Sequence, residues 1–580
     1  MMRKVKYTKL FSEVFTEWKW LLRYVKKYLR SIALHIAIGI LGIFMGLGTS
    51  VASKYLIDAV VSHNQETIVY SAVLAIGLAV SQIIINSVSS RIISKTGTKI
   101  NTEIRSEFFA DMVTSDWESI SAYHSGDLIN RLEGDISSVS NGIIAFLPNV
   151  FTRIAQFVGA FGIVLYYDAT MAIIALLGSP VVFFTSRFMM KKIRKYNKRS
   201  RETNGKIISY GEETLQNIQM VKAFGLVEQY ADNFKKLLLE YRSVKLEHDK
   251  FSILMSMCLS LVGLAVSYSC YGWGVWQLWN GVISYGTMTL FISLSSILTS
   301  SFSSIVSLAP SAVSIATCAG RIKEISELAK ENDADAQKAN ELLEKAKNGQ
   351  ISVCAENVSF KYKKSPNYVL KNTDFYVRCG ETVAITGPSG EGKTTILRLL
   401  LGLVAPTDGK IVFLSSDGTS LGASYSTRRL CSYVPQSNDI TSGTIAENLR
   451  AVRPDAEDSL IIDALKTADA WDFVSNLPDG IYSEVGERGV NFSEGQAQRI
   501  SIARAVLRSA PVLIMDEATS ALDYETEARV LGNIMMSDPN KICIITTHRS
   551  SMLKYCNRIY RINEDGSVNI YGTSNETEEI

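Results

Sequence analysis

The chain has 580 residues, of which 47% are hydrophobic and 20% charged, and its mean hydropathy is +0.11. The length excludes a single small module, the charged fraction excludes a protein lying wholly in a bilayer, and the apolar content excludes disordered and fibrous classes. The net charge of +3 is the sum of two unlike halves: residues 1–320 hold 31 Lys and Arg against 21 Asp and Glu, and residues 321–580 hold 29 against 36. A basic, apolar half followed by an acidic half predicts a membrane domain joined to a cytosolic one.

We do not expect the first 30 residues to form a cleavable signal peptide, because charged residues continue as far as Arg30 without a short apolar stretch and a small-residue cleavage site. Within them, residues 11–29 mix Phe, Trp and Leu with Lys and Arg. This pattern favours an amphipathic helix on the inner membrane surface. A cytosolic extension of the first membrane span is the alternative.

Residues 31–320 predict a polytopic all-α membrane domain. A span needs about 20 mostly apolar residues. Six stretches qualify, near 31–61, 68–92, 139–167, 169–190, 252–279 and 284–310. Several are longer than a bilayer requires, so their ends should project into water.

The connections between these spans indicate the orientation. The short ones, at 62–67, Asp168 and 280–286, contain no Lys or Arg, whereas residues 187–250 alone carry 15. The positive-inside rule therefore predicts a cytosolic N-terminus, cytosolic long loops and a cytosolic C-terminal half. Each long loop contains a break in its helical pattern, around 115–127 and 214–230, where a short transverse helix could press on another domain.

The composition changes again at residues 321–350, which predict a charged linker, and a mixed α/β pattern begins at 351. The strand ETVAIT (381–386) is followed by GPSGEGKTT and a helical run. Gly387, Gly392, Lys393 and Thr394 fit GxxxxGK[ST] in the strand–loop–helix context that this phosphate-binding motif requires. Glycines let backbone N–H groups approach phosphate, Lys393 reaches the outer phosphates and the Thr394 hydroxyl ligates Mg²⁺.

Two further strands end in chemistry-bearing residues. PVLIMDEATSALD (511–523) predicts an apolar strand that ends at Asp516 and Glu517. Asp516 could hold the Mg²⁺ shell and Glu517 could point at an attacking water. The strand ICIIT (542–546) leads to His548, which is well placed to sense a γ-phosphate.

The run NFSEGQAQRISIARA (491–505), just before the Asp516 strand, resembles the signature of ATP-binding cassette (ABC) transporters. With the other motifs in order, residues 10–575 resemble a half-transporter of the exporter type. The resemblance implies six membrane helices in residues 31–320, fused to an α/β P-loop ATPase domain at 351–575. It also implies ATP and Mg²⁺ as cofactors and ATP-driven transport as the activity.

The resemblance assigns roles to particular residues of this chain. Tyr362 would stack on adenine, Gln436 would link the membrane domain to Mg²⁺ and water, and Asp523 would lie in the loop crossing between two ATP sites. Ser493, Gly495 and Gln496 would close over the ATP of a partner subunit. The breaks at 115–127 and 214–230 would be coupling helices, and EVGERG (484–489) would touch them. The implied phosphate loop comprises Gly387, Pro388, Ser389, Gly390, Glu391, Gly392, Lys393, Thr394 and Thr395.

Two positions depart from the family pattern. The usual LSGGQ reads Phe492-Ser493-Glu494-Gly495-Gln496, and Glu391 stands where Ser is common. Because Lys393, Asp516, Glu517 and His548 are all present, we interpret these departures as variants of a competent site. A carboxylate at Glu391 should carry an electrostatic cost unless it faces solvent or a cation.

Dimerisation follows from the chemistry, since the ATP held by Lys393 needs Ser493 and Gly495 of another subunit. The expected partners are a second half-transporter, identical or different, the lipid bilayer of the plasma membrane and a transported solute, with no nucleic acid. ATP binding and hydrolysis would then drive alternating access.

Polar residues within the spans are candidates for the substrate path. Arg153 lies in span three, where a hydrogen bond to a neighbouring helix is the alternative role. Lys54 and Asp58, four residues apart near the outer end of span one, are interpreted as a local ion pair. In span six, serines at spacings of 3, 4, 3 and 4 either line a polar path or form a helix contact. These are Ser293, Ser296, Ser300, Ser303 and Ser307.

The leading prediction is therefore an ATP-driven exporter of a drug-like, lipid or peptide substrate. A membrane-tethered ATPase that regulates a partner without transport is the second hypothesis. An importer built on the exporter scaffold is the third.

Overall fold

The computed structural model describes residues 16–573 apart from 364, 389, 391, 437–438 and 487–490. Side chains are not described for 175–194, 197–198, 201, 259, 306–307, 309–310, 551 and 571–573. The chain divides into two compact units. One comprises residues up to Val113 together with Tyr123–Glu327, and the other comprises Thr114–Ala122 together with the residues from Leu328 onward.

The first unit is built from long helices. It contains α1 (16–27), α2 (Leu29–Val61), α3 (Gln65–Thr114), α5 (Ser125–Asn130), α6 (Ile136–Tyr167), α7 (Ala169–Gln216), α8 (Ile218–Ala223), α9 (Val227–Trp279) and α10 (Tyr285–Ser326), and α4 (Trp117–Ile120) belongs to the second unit. A π-helical turn, Arg131–Asp135, joins α5 to α6. At 1.5 Å per residue, the 50 residues of α3 extend well beyond the ~30 Å of a bilayer core.

Five helices within the described residues are long and apolar enough to cross a membrane. They are α2, α3, the helix ending at Tyr167, α9 and the first part of α10. The fourth predicted span falls at the start of α7, where the side chains beyond Ile174 are not described, so that span stays a prediction. The polytopic all-α fold class is confirmed.

The amphipathic N-terminal segment is helical over 16–27, and its residues 11–15 lie outside the described residues. Its apolar face is buried against protein, with Leu21 fully inaccessible. Trp18 Nε1 donates to the Ala312 carbonyl in α10 at 3.2 Å, and the Tyr24 hydroxyl donates to Glu107 in α3 at 2.8 Å. These contacts hold α1 against the parts of α3 and α10 that lie beyond the predicted spans.

The second unit is α/β. A six-stranded sheet has the order β12-β11-β3-β10-β9-β6, with β12 antiparallel and the others parallel, and a four-stranded antiparallel sheet has the order β2-β1-β4-β5. The strands are β1 (Ile351–Phe360), β2 (Leu370–Arg378), β3 (Thr382–Thr386), β4 (Asp408–Ser415), β5 (Ser420–Gly422), β6 (Cys431–Val434), β7 (Gly443–Thr444), β8 (Glu484–Val485), β9 (Val512–Asp516), β10 (Ile542–Thr546), β11 (Arg558–Ile562) and β12 (Val568–Thr573). The helices are α11 (Ala336–Ala346), α12 (Lys393–Leu400), α13 (Ile445–Arg450), α14 (Asp458–Thr467), α15 (Trp471–Ser475), α16 (Glu494–Leu507), α17 (Tyr524–Ser537) and α18 (Ser550–Leu553).

The parallel strands position the site. Every residue of β9 and β10 is buried, as expected for strands covered on both faces by helices. Thr546 of β10 pairs with Asp516 of β9 on one side and with Ile385 of β3 on the other, so these three residues lie side by side across the sheet. The loops that follow these three strands therefore leave the sheet at the same edge, where α/β proteins bind ligands.

Candidate functional site

The loop between β3 and α12 carries the predicted phosphate-binding motif. Gly387 and Gly392 have φ angles of 148° and 106°, in the region that favours glycine. A Cβ atom on Gly392 would come within 2.8 Å of Val369 Cγ1. The resulting turn starts α12 at Lys393, and backbone N–H groups at such a helix start attract anions. Pro388 and Gly390 lie in the same loop, whereas Ser389 and Glu391 lie outside the described residues.

Lys393, the first residue of α12, extends its side chain back to this loop. Its side chain is buried, and Nζ donates to the Gly387 carbonyl at 3.0 Å. The same ammonium lies 3.2 Å from Oε1 of Glu517. A buried cation held between a backbone carbonyl and a carboxylate is positioned to exchange that carboxylate for phosphate oxygens.

Glu517 follows directly after β9 in an unusual backbone conformation. Its φ angle is 47°, a region that costs a non-glycine residue ~1–3 kcal/mol and is concentrated at functional sites. The backbone N–H donates to the Thr546 hydroxyl at 2.9 Å and approaches the Thr546 carbonyl at 3.2 Å. The Thr546 hydroxyl in turn donates to Oδ1 of the buried Asp516 at 2.7 Å. The β10 strand end therefore holds both acidic residues in place.

Three predicted site residues meet at the Glu517 carboxylate. Besides Lys393, Gln436 Nε2 donates to Glu517 Oε2 at 2.9 Å, and His548 Nδ1 lies 3.9 Å from Oε1. These groups come from four separate stretches of sequence, after β3, β6, β9 and β10. The arrangement places an acceptor, a fixed cation, an amide and an imidazole around one small volume.

The candidate magnesium ligands offer only oxygen donors. Thr394 is half-buried in the first turn of α12, Asp516 keeps one carboxylate oxygen that Thr546 does not bind, and the Gln436 carbonyl is not used by its bond to Glu517. Hydroxyl, carboxylate and amide oxygens suit Mg²⁺, which takes few protein ligands and completes its shell with phosphates and water. Among the described residues, no cluster of three or more His, Cys, Asp or Glu residues that could hold a metal ion is found. Nearby, burial and then the Asp516 charge raise the pKa of Tyr433 to about 12, so this tyrosine stays neutral.

Tyr362, the predicted adenine platform, follows β1. Its hydroxyl lies 3.1 Å from the Thr395 hydroxyl and accepts from Arg398 Nη1 at 2.9 Å. Both partners are on α12, so the tyrosine ring is anchored to the helix that follows the phosphate loop.

The signature segment has local structural roles as well. Ser493 caps α16, where its hydroxyl accepts from Gln496 N at 3.3 Å and its own N–H donates to Gln496 Oε1 at 3.0 Å. Asp523 caps α17 by accepting from Thr526 N at 2.9 Å and from the Thr526 hydroxyl at 2.8 Å. These two bonds hold the pKa of the Asp523 carboxyl below its usual value. A Cβ on Gly495 would come within 3.0 Å of the Ala521 carbonyl, so α16 begins close to the Asp523 loop. Of EVGERG, only Glu484, Val485 and Gly486 are described.

Two supporting residues were missed by the sequence argument. Gln498, almost fully buried, accepts from Ala521 N at 3.1 Å and approaches the Glu517 carbonyl at 3.5 Å. Arg549 donates to the carbonyls of Thr519 and Leu522 at 3.2 and 2.8 Å. Both residues lie beside recognised motifs, as the second glutamine of NFSEGQAQ and as the arginine directly after His548. Their positions in the sequence do not show that they hold the loop between Glu517 and Asp523.

In the membrane unit, Arg153 does not form the expected bond to a neighbouring helix among the described residues. Its Nη1 donates to Gln156 Oε1 in the same helix at 2.9 Å. At 100° per residue, Arg153 points between the direction of Thr152, which approaches Gly39 of α2, and that of Phe157, which contacts Phe302 of α10. Arg153 therefore faces the seam between α2 and α10.

The serines of α10 are oriented away from this unit's own core. Ser293, Ser296 and Ser300 are exposed, whereas Leu294 and Leu298 on the other side are buried. Ser303 is half-buried, and the side chain of Ser307 is not described. The stripe is thus not a packing seam within the unit, although Ser293 lies 3.5 Å from Ser50.

The predicted ion pair of Lys54 and Asp58 is present at 3.4 Å. Asp58 also accepts from the Ser284 hydroxyl and from Gly286 N, both at 2.8 Å. The pair therefore joins the end of α2 to the start of α10.

Two protein-family models match the chain. Residues 32–302 match the ABC transporter transmembrane region, and residues 370–520 match the ABC transporter model for the nucleotide-binding part. Together these regions cover well over half of the chain.

Similar proteins agree with both matches. A Staphylococcus aureus protein (strain NCTC 8325 / PS 47), provisionally named a multidrug export ATP-binding/permease protein, is 28% identical over 565 residues, which is 96% of each chain. A protein of the same name from the bovine strain RF122 / ET3-1 is also 28% identical, again over 96% of each chain. Among solved structures, a bacterial Atm1-family ABC exporter with ATP bound aligns with a TM-score of 0.82 at 22% identity, covering 95% of this chain and 96% of the other. The last likeness establishes the fold.

Proposed function

The chain belongs to the ABC transporter family as a half-transporter of the exporter type, and we propose that it pairs with a second half-transporter to form two composite ATP sites. It binds nucleotide, has ATPase activity and uses it for export. A regulatory ATPase without transport and an importer are not favoured, because the relatives are named for export.

The proposed hydrolytic role rests on one observation: the side chains of Lys393, Gln436 and His548 all lie next to the Glu517 carboxylate. Glu517 accepts the proton of the attacking water or orients that water, Lys393 binds the outer phosphates, and His548 contacts the γ-phosphate. Gln436, which already donates to Glu517, holds the water on its other side. Lys393 exchanges its contact with Glu517 for phosphate, which frees the carboxylate to act as a base.

The oxygen set of Thr394, Asp516 and Gln436 fits Mg²⁺. When bound there, the ion neutralises charge that develops on the phosphate oxygens. The part played by the chain is to fix these oxygens, and Thr546 does so for Asp516.

The second subunit completes each site with Ser493, Gly495 and Gln496. Within the described residues, the hydrogen bonds of Ser493 are local to α16, and the capped N-terminus of that helix is available to a phosphate from outside the chain. The tip around α8 adds a further argument, because Leu215 and Phe224 are 71% and 74% exposed. Apolar side chains this exposed in a cytosolic loop indicate a protein contact that the single chain does not supply.

Closure of two ATPase domains on ATP, and their release after hydrolysis, would switch the membrane domains between inward- and outward-facing states. We place the protein in the plasma membrane with the N-terminus and ATPase domain in the cytosol, on the charge distribution of the loops. Arg153 and the serines of α10 line the proposed path. The solute is a drug-like, lipid or peptide molecule.

Inside-out membrane vesicles containing the chain test the proposal. ATP-dependent accumulation of at least one of a cationic, an anionic and a neutral fluorescent amphiphile is expected, and E517Q vesicles should accumulate none. Robust ATP hydrolysis without accumulation of any of the three probes would contradict the proposed path for amphiphilic cargo.

A further inference from the structure

The segment Thr114–Ala122 is structurally part of the nucleotide-binding unit. Asp116 N donates to the Ala329 carbonyl and Glu331 N donates to the Thr114 carbonyl, both at 2.8 Å. The Asp116 side chain caps α4 by accepting from Ser119 N at 2.9 Å. The segment, which sequence resemblance identifies as a coupling helix, is therefore held in one defined position on this unit.

Trp117 of this segment covers Arg398 of α12. The guanidinium carbon lies 4.5 Å from the centre of the indole ring, which also packs against the core of the unit. A cation over an indole face is attracted by the negative charge density of the ring, the more strongly the less water surrounds it. The geometry fixes the direction in which Arg398 donates its hydrogen bonds.

Arg398 donates to the hydroxyl of Tyr362 at 2.9 Å, and the same hydroxyl lies 3.1 Å from that of Thr395. Lys363, which follows Tyr362 in the chain, also contacts the coupling segment. The Glu118 carboxylate accepts from Lys363 N at 3.2 Å and lies 3.2 Å from Lys363 Nζ. Trp117 thus acts on the tyrosine ring through Arg398, and Glu118 holds the backbone of the adjacent residue, Lys363.

We infer that Arg398 is a positioning residue for Tyr362, and that Trp117 and Glu118 make nucleobase binding depend on the position of the coupling segment. The inference rests on the proposed role of Tyr362 as the adenine platform. A stacking platform binds well only if its plane is fixed before the base arrives, since otherwise binding must supply the ordering cost. By linkage, a nucleobase that favours the anchored ring also favours the docked coupling segment by the same factor.

The inference predicts a dependence on the base and none on the phosphates. Stacking of a base on an aromatic side chain is favourable, and a purine offers more stacking area than a pyrimidine. The comparison of ATP with UTP therefore isolates the platform, because both carry the same triphosphate. A general loss of folding or of phosphate binding would affect both nucleotides alike.

The test measures KM and kcat for ATP and UTP hydrolysis by the full chain in lipid. R398M and W117L should each raise the KM for ATP by about five- to ten-fold while the KM for UTP changes less than two-fold and kcat is kept. R398K and W117F, which retain the cation and the aromatic face, should restore most of the preference for ATP. R378M is the matched control, because Arg378 lies 5.7 Å from the Tyr376 ring on β2, away from the phosphate loop.

Y362F and Y362A separate the possible failures. Y362F keeps the ring and loses its hydroxyl, so it should match R398M, and the double variant should add nothing further. If Y362A lowers the preference for ATP whereas R398M and W117L do not, the positioning inference is wrong. If Y362A also leaves the preference unchanged, the platform role of Tyr362 is wrong and the inference fails with it. An equal loss of kcat on both nucleotides in R398M and R398K would show a purely structural role and overturn the inference.

Discussion

Lys393 Nζ and Glu517 Oε1 lie 3.2 Å apart, so the phosphate-loop cation and the carboxylate that would activate water are direct partners. The contact lies at the sheet edge where β3 and β9 end. In the mechanism that we propose, nucleotide binding and activation of the carboxylate are therefore a single exchange of partners at Lys393.

Replacement of Glu517 by glutamine keeps the shape of the side chain and removes its charge and basicity. We expect E517Q to lower the rate of phosphate release by about 10²–10⁴-fold, the usual contribution of a general base. ATP should still bind, and ATP-bound dimers should accumulate in size-exclusion chromatography. E525Q is the control, since Glu525 is an exposed carboxylate in the first turn of α17. Hydrolysis by E517Q at the wild-type rate would contradict the assigned role.

Lys393→Met tests the other partner. We expect K393M to lose binding of a fluorescent ATP analogue, because no other described side chain supplies a buried cation to the loop. Lys410→Met is a suitable control. Lys410 is 62% exposed and pairs with Glu356 at 3.1 Å on the antiparallel sheet. Binding of the analogue by K393M with wild-type affinity would show that backbone groups alone hold the phosphates.

Phe224 tests the exposed tip of α8. F224S should leave ATP binding intact and reduce transport per ATP hydrolysed by several-fold, because the ring would lose its apolar contact with a second subunit. Vesicle accumulation and phosphate release, measured on the same preparation, give this ratio. Lys222→Ala changes an exposed residue of α8, two positions before Phe224, without removing an aromatic ring, so it should keep the ratio. Equal effects of the two variants would favour a general disturbance of α8 over a specific contact.

The cysteines of the nucleotide-binding unit give a pH-dependent prediction. Burial raises the pKa of Cys431 to about 12, of Cys543 to about 11 and of Cys556 to about 12. A group whose pKa is raised keeps its proton to higher pH, and only the thiolate reacts. We therefore expect these three thiols to resist maleimide from pH 7 to pH 9 in the native protein and to react after denaturation. The half-exposed Cys354 and Cys379 are internal controls. Mass spectrometry of the labelled peptides gives the result, and native labelling of Cys543 would contradict it.

The sequence predicts the ends of the parallel strands well, because short, mostly apolar runs such as 512–516 and 542–546 are typical of strands buried on both faces of a sheet. The groups that follow them, Glu517 and His548, are brought together by the register between Thr546 and Asp516, a tertiary property that motif spacing does not contain. Gln496 shows a further limit. The resemblance assigns it to a partner's ATP, and its side chain also completes the cap of α16. Trp117 is the strongest case, since the break around it was predicted and its contact with Arg398, about 280 positions away in the chain, was not.

Arg153 is a positive charge in a predicted membrane span that offers it no partner carboxylate. Of the six predicted spans, only the first contains an acidic residue, Asp58, and that carboxylate is already bonded to Lys54, Ser284 and Gly286. The bond to Gln156 directs the Arg153 guanidinium toward the following turn of α6 rather than toward the N-terminal end of that helix. An arginine without a partner carboxylate in the spans is energetically costly, and we expect an anionic group of the solute to offset that cost.

R153Q should therefore reduce stimulation of ATP hydrolysis by an anionic amphiphile such as dodecyl phosphate more than stimulation by a cationic one, and leave basal hydrolysis near wild type. R153K keeps the positive charge and should retain part of the anionic response. Because Ser300 is uncharged, S300A is the control for a polar change in the proposed path. An equal fall in basal and stimulated hydrolysis in R153Q would assign Arg153 a structural role, through its bond to Gln156 at the seam between α2 and α10. A selective loss of the anionic response would make Arg153 a determinant of which solutes the path accepts.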